Sequence, residues 1–339
     1  MRNGILRPGT AVALLLACAA GLSPGRSEAA GEIYWFSLLT EDAAAASAFY
    51  SGLFGWDIQP SPTGALMALR DGVPFAGISQ IEDRIPNASE ALWLAAITVA
   101  DLDKAVATAK ELGATIHEDV TRLPGWGSFA LIQDPQGAPV SLAVPERVLG
   151  GKQGYSGWRW AELWTHDTDA AADFYSAVVG YELQTLQFGE QTYTAFSSAG
   201  KRDAGLVELE QAEIAPRWAP YVGVSDLRGI LVRVWQLGGK VLREPAEINF
   251  EAAGKDRVAL IADPTGGVMF LYQLDERATA DPAVAARANR NQTRPNGRNS
   301  NRGGGSNINV TVHYSYGFGT GWANAYPTYP YRPFGPVPY

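Results

Sequence analysis

The chain has 339 residues, 46% of them hydrophobic, and a formal net charge of −8. That is enough for two domains and a substantial apolar core. The acidic balance argues against nucleic acid as the main partner, and the single cysteine, Cys18, excludes an internal disulfide.

Arg2 and Arg7 precede an apolar run from Thr10 to Leu22. The run is short for a bilayer span but fits the core of a secretory signal, which places a leader over residues 1–29. Ser27-Glu28-Ala29 puts small residues where a signal peptidase reads them. Leu15-Leu16-Ala17-Cys18 offers a second cleavage, because it resembles a bacterial lipobox whose cysteine is lipidated and starts the mature chain. Cys18 is then the lipidation site; otherwise it is a free thiol in a discarded leader. Either way the mature chain is expected in the periplasm or cell envelope, touching a membrane only through a lipid on Cys18.

The next stretch, Trp35 to Trp56, returns at a constant offset of 125 residues as Trp160 to Tyr181. Trp35, Asp42, Phe49, Tyr50, Ser51 and Gly55 recur as Trp160, Asp167, Phe174, Tyr175, Ser176 and Gly180. A repeat of this kind sets the architecture. Leu94 to Asp101 and Ala219 to Asp226 begin two fainter copies. Each of the four units reads as an apolar strand, an Asp, a helix of about three turns and a Gly. The Asp carboxylate suits a helix start, where N–H groups lack partners, and the Gly suits the stop.

The first domain spans 32–147. Ile33 to Leu39 predicts a strand and Ala43 to Phe54 a helix. Short strands follow at Trp56 to Gln59, Ala65 to Arg70 and Phe75 to Ile81, separated by Pro60, Pro62, Gly64 and Asp71-Gly72. A second round predicts a strand at Leu92 to Val99, a helix at Leu102 to Leu112, and strands at Thr115 to Asp119, Ser128 to Gln133 and Val140 to Val144. Asp134-Pro135-Gln136-Gly137 is the turn before the last strand. The second domain, 158–277, repeats the order, with Asp263-Pro264-Thr265-Gly266 as the matching turn and Ala204-Gly205-Leu206 echoing Ala76-Gly77-Ile78. Each half of each domain is βαβββ.

These paired βαβββ units, with Phe-Tyr on the first helix, Leu-Gly before the next strand and Asp-Pro-x-Gly before the last, resemble the vicinal oxygen chelate (VOC) superfamily. That group includes glyoxalase I, bleomycin-resistance proteins and extradiol dioxygenases. The resemblance covers residues 32–277 and is greatest for tandem glyoxalase-like proteins. It implies an α+β fold of two VOC domains, each with a curved mixed sheet.

Metal-dependent members carry ligands on the first strand of each unit and on the last strand. The corresponding positions lie seven residues before each capping Asp and seven after the Asp of each Asp-Pro-x-Gly turn. They hold Trp35, Leu94, Trp160, Ala219, Ser141 and Phe270. A further family ligand falls near Gln80 or Glu208. Indole, phenyl and hydroxyl groups are poor ligands for a divalent cation. His117, His166 and His313 have no partner at ligand spacing, so no metal or other cofactor is expected.

Strand side chains alternate faces, so Trp35 shares a face with Ser37, and Trp160 with Glu162. The resemblance turns that face into a cup. One site with two tryptophans, a serine and a carboxylate suits an aromatic or amphipathic small ligand. An indole could also hold a cationic group with Glu162 as counter-charge. A buried Glu162 could act as a general base. The candidate ligand-binding set is Trp35, Ser37, Ser141, Trp160, Glu162 and Phe270, with Glu162 the catalytic candidate. The competing reading has the tryptophans filling the cup and Glu162 paired with an arginine such as Arg159. Trp126 is either a lid or an exposed loop residue.

The tail, 278–339, carries six Arg and one acid and is rich in Asn and Gly, then in Tyr and Pro. Such a composition cannot bury enough apolar area to fold, so disorder is expected. Three functions follow as expectations: a metal-free exported binder of a small organic molecule, a VOC-fold lyase or dioxygenase with an atypical metal site, or an envelope protein acting through its tail.

Overall fold

The computed structural model describes residues 30–61, 65–81, 91–123, 127–146, 157–188, 191–248 and 256–274. The leader with Cys18, Trp126 and the tail lie outside them.

The first repeat opens with β1 (Ile33–Thr40), α1 (Ala43–Phe54), β2 (Asp57–Pro60), β3 (Leu66–Arg70) and β4 (Val73–Gln80). It continues with β5 (Leu92–Thr98), α2 (Leu102–Glu111), β6 (Thr115–Leu123), β7 (Gly127–Gln133) and β8 (Pro139–Pro145). Two βαβββ units thus join in one eight-stranded mixed sheet, ordered β2-β3-β4-β1-β5-β8-β7-β6. The second repeat holds β9 (Trp158–Thr165), α3 (Thr168–Val179), β10 (Glu182–Phe188), β11 (Gln191–Ser198) and β12 (Lys201–Glu208). Its second unit holds β13 (Arg217–Gly223), α4 (Leu227–Gln236), β14 (Lys240–Ile248), β15 (Asp256–Ala262) and β16 (Val268–Gln273). Its sheet has the same order, β10-β11-β12-β9-β13-β16-β15-β14. The fold is α+β with two VOC-like domains.

The four helix-starting aspartates do what the sequence suggests. Asp42, Asp101, Asp167 and Asp226 each accept a first-turn N–H, from Ala45, Lys104, Ala170 and Gly229. Each such cap contributes about 1 kcal/mol. Gly55 and Gly180 end α1 and α3 in the left-handed region, with φ of 70° and 86°; a side chain there would strain the backbone.

Two edge strands run further than the sequence pattern suggests. β6 extends to Leu123 rather than Asp119, and its counterpart β14 runs nine residues, to Ile248. Both carry repeated register shifts against their neighbours. A bulge breaks the two-residue alternation on which a strand reading depends, and Pro245 fits in β14 because an edge strand tolerates a missing N–H.

The helices and the helix-facing sides of both sheets form one continuous core. Trp158, at the start of the second sheet, enters the first repeat's aromatic cluster. Its ring lies 4.7 Å from Phe36, and its indole N–H donates to the Phe75 carbonyl at 3.0 Å. The opposite face of each sheet, the inside of the cup, has its own apolar cluster.

Candidate functional site

On β9, Ala161 and Leu163 join the shared core, while Trp160 and Trp164 join the cup cluster. Glu162 lies between those tryptophans by strand alternation and hydrogen-bonds to Trp164. On β1, Phe36 and Leu38 join the core, while Trp35 and Leu39 line the other face. Ser37 bonds to Trp35 there.

The predicted residues do not meet in one site. Trp35 packs in the first cup, and Trp160 and Phe270 pack in the second. Ser141 shares its face with Ala143 of the first cup cluster. The single site expected from the sequence is therefore two, because each pair of βαβββ units closes its own sheet.

The first cup is filled by side chains, and on its face the Ser79 hydroxyl of β4 is buried with no hydrogen-bond partner. Trp35 is buried and donates its indole N–H to the Ser37 hydroxyl at 2.8 Å. Ser141 is buried on β8, opposite Ala96.

The second cup holds a charge. Glu162 is 1% exposed. The Tyr193 hydroxyl donates to Oε1 at 3.0 Å, and the Trp164 indole N–H donates to Oε2 at 3.1 Å. Trp160, half-buried, donates to the Tyr193 hydroxyl at 3.0 Å. A hydrogen-bonded chain thus runs from a partly exposed indole to a buried carboxyl. Tyr221 stacks on Phe270 with ring centroids 4.1 Å apart. Its hydroxyl acts electrostatically on Glu162 but closes no hydrogen bond of normal geometry.

Burial pushes the Glu162 carboxyl above its ordinary value near 4.5, and the donors around it lower it without cancelling that effect. The phenols of Tyr193 and Tyr221 are pushed well above 10, first by burial and then by the nearby Glu162 charge.

Glu162 is not paired with Arg159. Arg159 sits where β9 shifts register against β13, and its Nε packs where a Gly223 side chain would otherwise sit. The carboxyl's hydrogen-bond partners are aromatic side chains.

Tyr193, Trp164, Tyr221 and Gly205 are members of this site that the sequence reading passed over. Trp164 follows from the same two-residue alternation that picked out Trp160 and Glu162. Gly205 sits opposite Glu162 in the parallel pairing of β12 with β9. A Cβ there would come within 1.6 Å of the Tyr193 hydroxyl, so the glycine makes the room in which that phenol reaches the carboxyl. Tyr193 and Tyr221 carry no motif; only the sheet register places them.

The register also aligns the two cups. Ser37 lies opposite Gly77 as Glu162 lies opposite Gly205. Ala96 lies opposite Ser141 as Tyr221 lies opposite Phe270. The second cup has a carboxyl and two rings where the first has small side chains.

A family model described as a glyoxalase-like domain matches residues 35–143. CFP32 of Mycobacterium tuberculosis, a candidate glyoxylase, is 30% identical over 254 residues, covering 72% of this chain and 96% of that protein. The chain belongs to the vicinal oxygen chelate superfamily, among its glyoxalase-like members. Another relative in this group is the anthracycline biosynthesis protein DnrV of Streptomyces peucetius, 27% identical over 281 residues, covering 77% of this chain and 98% of that one. The VOC fold is also seen in two solved structures. The Mn(II)-bound glyoxalase from Novosphingobium aromaticivorans has a TM-score of 0.51 at 15% identity, covering 72% of this chain and 82% of that one. A variant of homoprotocatechuate 2,3-dioxygenase from B. fuscum has a TM-score of 0.53 at 16% identity, covering 77% and 76%.

The VOC superfamily implies a divalent metal, and the residues in place do not fit one. Trp35, Leu94, Trp160, Ala219 and Phe270 belong to the cup clusters, and Ser141 shares the first cup's face. Among the described residues no group of three or more His, Cys, Asp or Glu could hold an ion. Gln80 is turned to solvent and accepts the Ala43 N–H at the start of α1, and Glu208 is exposed. His117 bonds to Gln133, and His166 to the Leu209 carbonyl. Glu162 is one carboxyl, and a catalytic ion needs several such ligands.

Proposed function

We propose that this VOC protein binds a small organic ligand, aromatic or amphipathic, in the second cup, without a metal. The observation that carries the reading is Glu162: a carboxyl buried among aromatic rings, faced by a Tyr221 hydroxyl that closes no hydrogen bond of normal geometry. Buried polar groups are normally satisfied, and an apolar hollow with a few polar groups is the usual form of a small-molecule site. The first cup, closed by the Trp35–Ser37 bond, is structural in this reading. Export is part of the proposal: residues 1–29 act as leader, with either a signal-peptidase cut or a lipid on Cys18, and the tail is free to contact an envelope component.

The test is a thermal-shift screen of the purified chain against small aromatic compounds and divalent metals, with metal analysis of the same sample. Stabilisation by an aromatic compound, weakened in Glu162→Gln, supports the site. Stoichiometric Zn, Ni, Mn or Fe would overturn the metal-free reading.

A second reading makes Glu162 a general base for a reaction in the same cup. Its raised pKa favours this, since a base working near neutral pH needs such a shift. The relative bearing a glyoxylase name gives a first assay: turnover of 2-oxoaldehyde substrates by the wild type and not by Glu162→Gln.

A further inference from the structure

We propose that the second cup takes a ligand bearing an ammonium group, with Glu162 as its counter-charge and the surrounding rings as its wall. This rests on the reading of that cup as a ligand site and names the chemical class the site would select.

Three features converge on a cation. The first is missing charge. Both oxygens of Glu162 are met only by neutral donors, the Tyr193 hydroxyl and the Trp164 indole. Ion pairs such as Arg122–Asp103 and those around Lys201 lie elsewhere and do not involve Glu162. A buried carboxylate without a cation carries a large desolvation cost that a bound ammonium would offset. The second is the wall. Trp160, Trp164, Tyr193, Tyr221 and Phe270 belong to or pack on the same cluster. Aromatic rings attract a cation through their quadrupole, more strongly where water is excluded. The third is the Tyr221 hydroxyl, buried and facing Glu162 without closing a hydrogen bond of normal geometry to it. Its oxygen can accept one N–H of a protonated amine while Glu162 accepts another.

The first cup serves as an internal comparison. At the equivalent places it has Ser37, Ala96 and Ser141, so its rings, Trp35 and Phe129 among them, face no carboxyl there. One amine per chain follows. The route in passes Trp160, the half-buried end of the chain that closes on Tyr193 and Glu162. Binding displaces that indole and changes its fluorescence.

The experiment uses the full chain and three probes of similar shape: phenethylammonium, phenethyl alcohol and 3-phenylpropanoate. Affinity is measured by tryptophan fluorescence and calorimetry at pH 8. The expected result is that the ammonium binds about tenfold or more tighter than the alcohol, with the carboxylate weakest. In Glu162→Gln, most of the ammonium's advantage over the alcohol should be lost. Glutamine keeps the shape and suits burial, so that variant is expected to fold; Tyr221→Phe, which keeps the ring, should lose several-fold for the ammonium alone. Equal binding of ammonium and alcohol in the wild type, or a preference undiminished in Glu162→Gln, would overturn the cation proposal while leaving the cup a ligand site. If none of the three binds and the aromatic thermal-shift screen is also blank, both readings fail.

Discussion

The Tyr50 hydroxyl, on the first helix of the first repeat, donates to Asp263 Oδ2 in the second repeat at 2.7 Å. The reverse bond exists too: Tyr175 donates to Asp134 Oδ2 at 3.1 Å. In both aspartates Oδ1 organises the turn, accepting from Gln136, Gly137 and Ala138 in one and from Thr265 and Gly267 in the other. The Phe-Tyr pair and the Asp-Pro-x-Gly turn therefore meet across the repeats and close on each other twice. Gln136 adds a further clasp, exchanging two hydrogen bonds with the backbone of Asp167. Tyr50→Phe should cost about 1.5–3 kcal/mol, since it leaves a buried carboxylate oxygen bare. Tyr175→Phe should do the same, and the two should add, being in separate contacts. Urea unfolding of the single and double variants checks this; losses below about 0.5 kcal/mol would show that the clasp contributes little.

Gly205→Ala tests how the carboxyl is held. The new methyl would fall on the Tyr193 hydroxyl, so the ring must leave and Glu162 loses a donor. The expected cost is about 1–3 kcal/mol, with a change in tryptophan emission as Trp160 loses its partner. In a Tyr193→Ala background the same substitution should cost less, because only Glu162 Cγ, at 3.2 Å, then stands near the methyl. An undiminished cost would place the strain in the backbone of β12 instead.

Most of the architecture was legible because it was written more than once. The repeat of Trp35 to Trp56 at Trp160 to Tyr181, with its capping aspartates and closing glycines, gives the element order before any coordinates. The alternation of Trp35 with Ser37 and of Trp160 with Glu162 gives the cup face correctly. What alternation cannot supply is which strands share a sheet. It therefore pooled Trp35 and Trp160, which line different cups, and it could not bring Tyr193 and Tyr221 to Glu162. Those contacts depend on register between strands far apart in sequence, and register is fixed by the packed core.

Asp203 offers a test away from the cup. Its side chain is almost fully buried where the Ser198 hydroxyl donates to it, with Lys201 at 3.9 Å and Glu32 close by. Burial raises its carboxyl from 3.8 to about 6, against the opposing pull of Ser198 and Lys201. A carboxyl raised in the folded state favours folding most below its unfolded value, and that advantage is lost as pH rises to its folded one. Between pH 4 and pH 6 the wild type should thus lose about 2 kcal/mol relative to Asp203→Asn. Denaturant midpoints for both proteins across that window check it, and parallel curves would mean that Asp203 titrates normally.

Glu162 should show the same sign over its own window. Its folded-state pKa lies above 4.5 because of burial, with Tyr193, Tyr221 and Trp164 facing it. Below that value both states are protonated and the residue is neutral towards stability. As pH climbs, the unfolded chain gives up its proton first, so the folded state becomes relatively less stable until its own pKa is passed. Glu162→Gln has no proton to lose. It should therefore match the wild type most closely near pH 4 and gain on it steadily towards neutral pH, measured as the difference in unfolding free energy. An ammonium ligand reverses the balance by favouring the ionised carboxyl. Phenethylammonium should then stabilise the wild type more at pH 8 than at pH 5, and should lose that pH dependence in Glu162→Gln. A stability difference that stays flat from pH 4 to pH 8 would show that this carboxyl titrates alike in the folded and unfolded chain, and the buried-acid description of the cup would have to be abandoned.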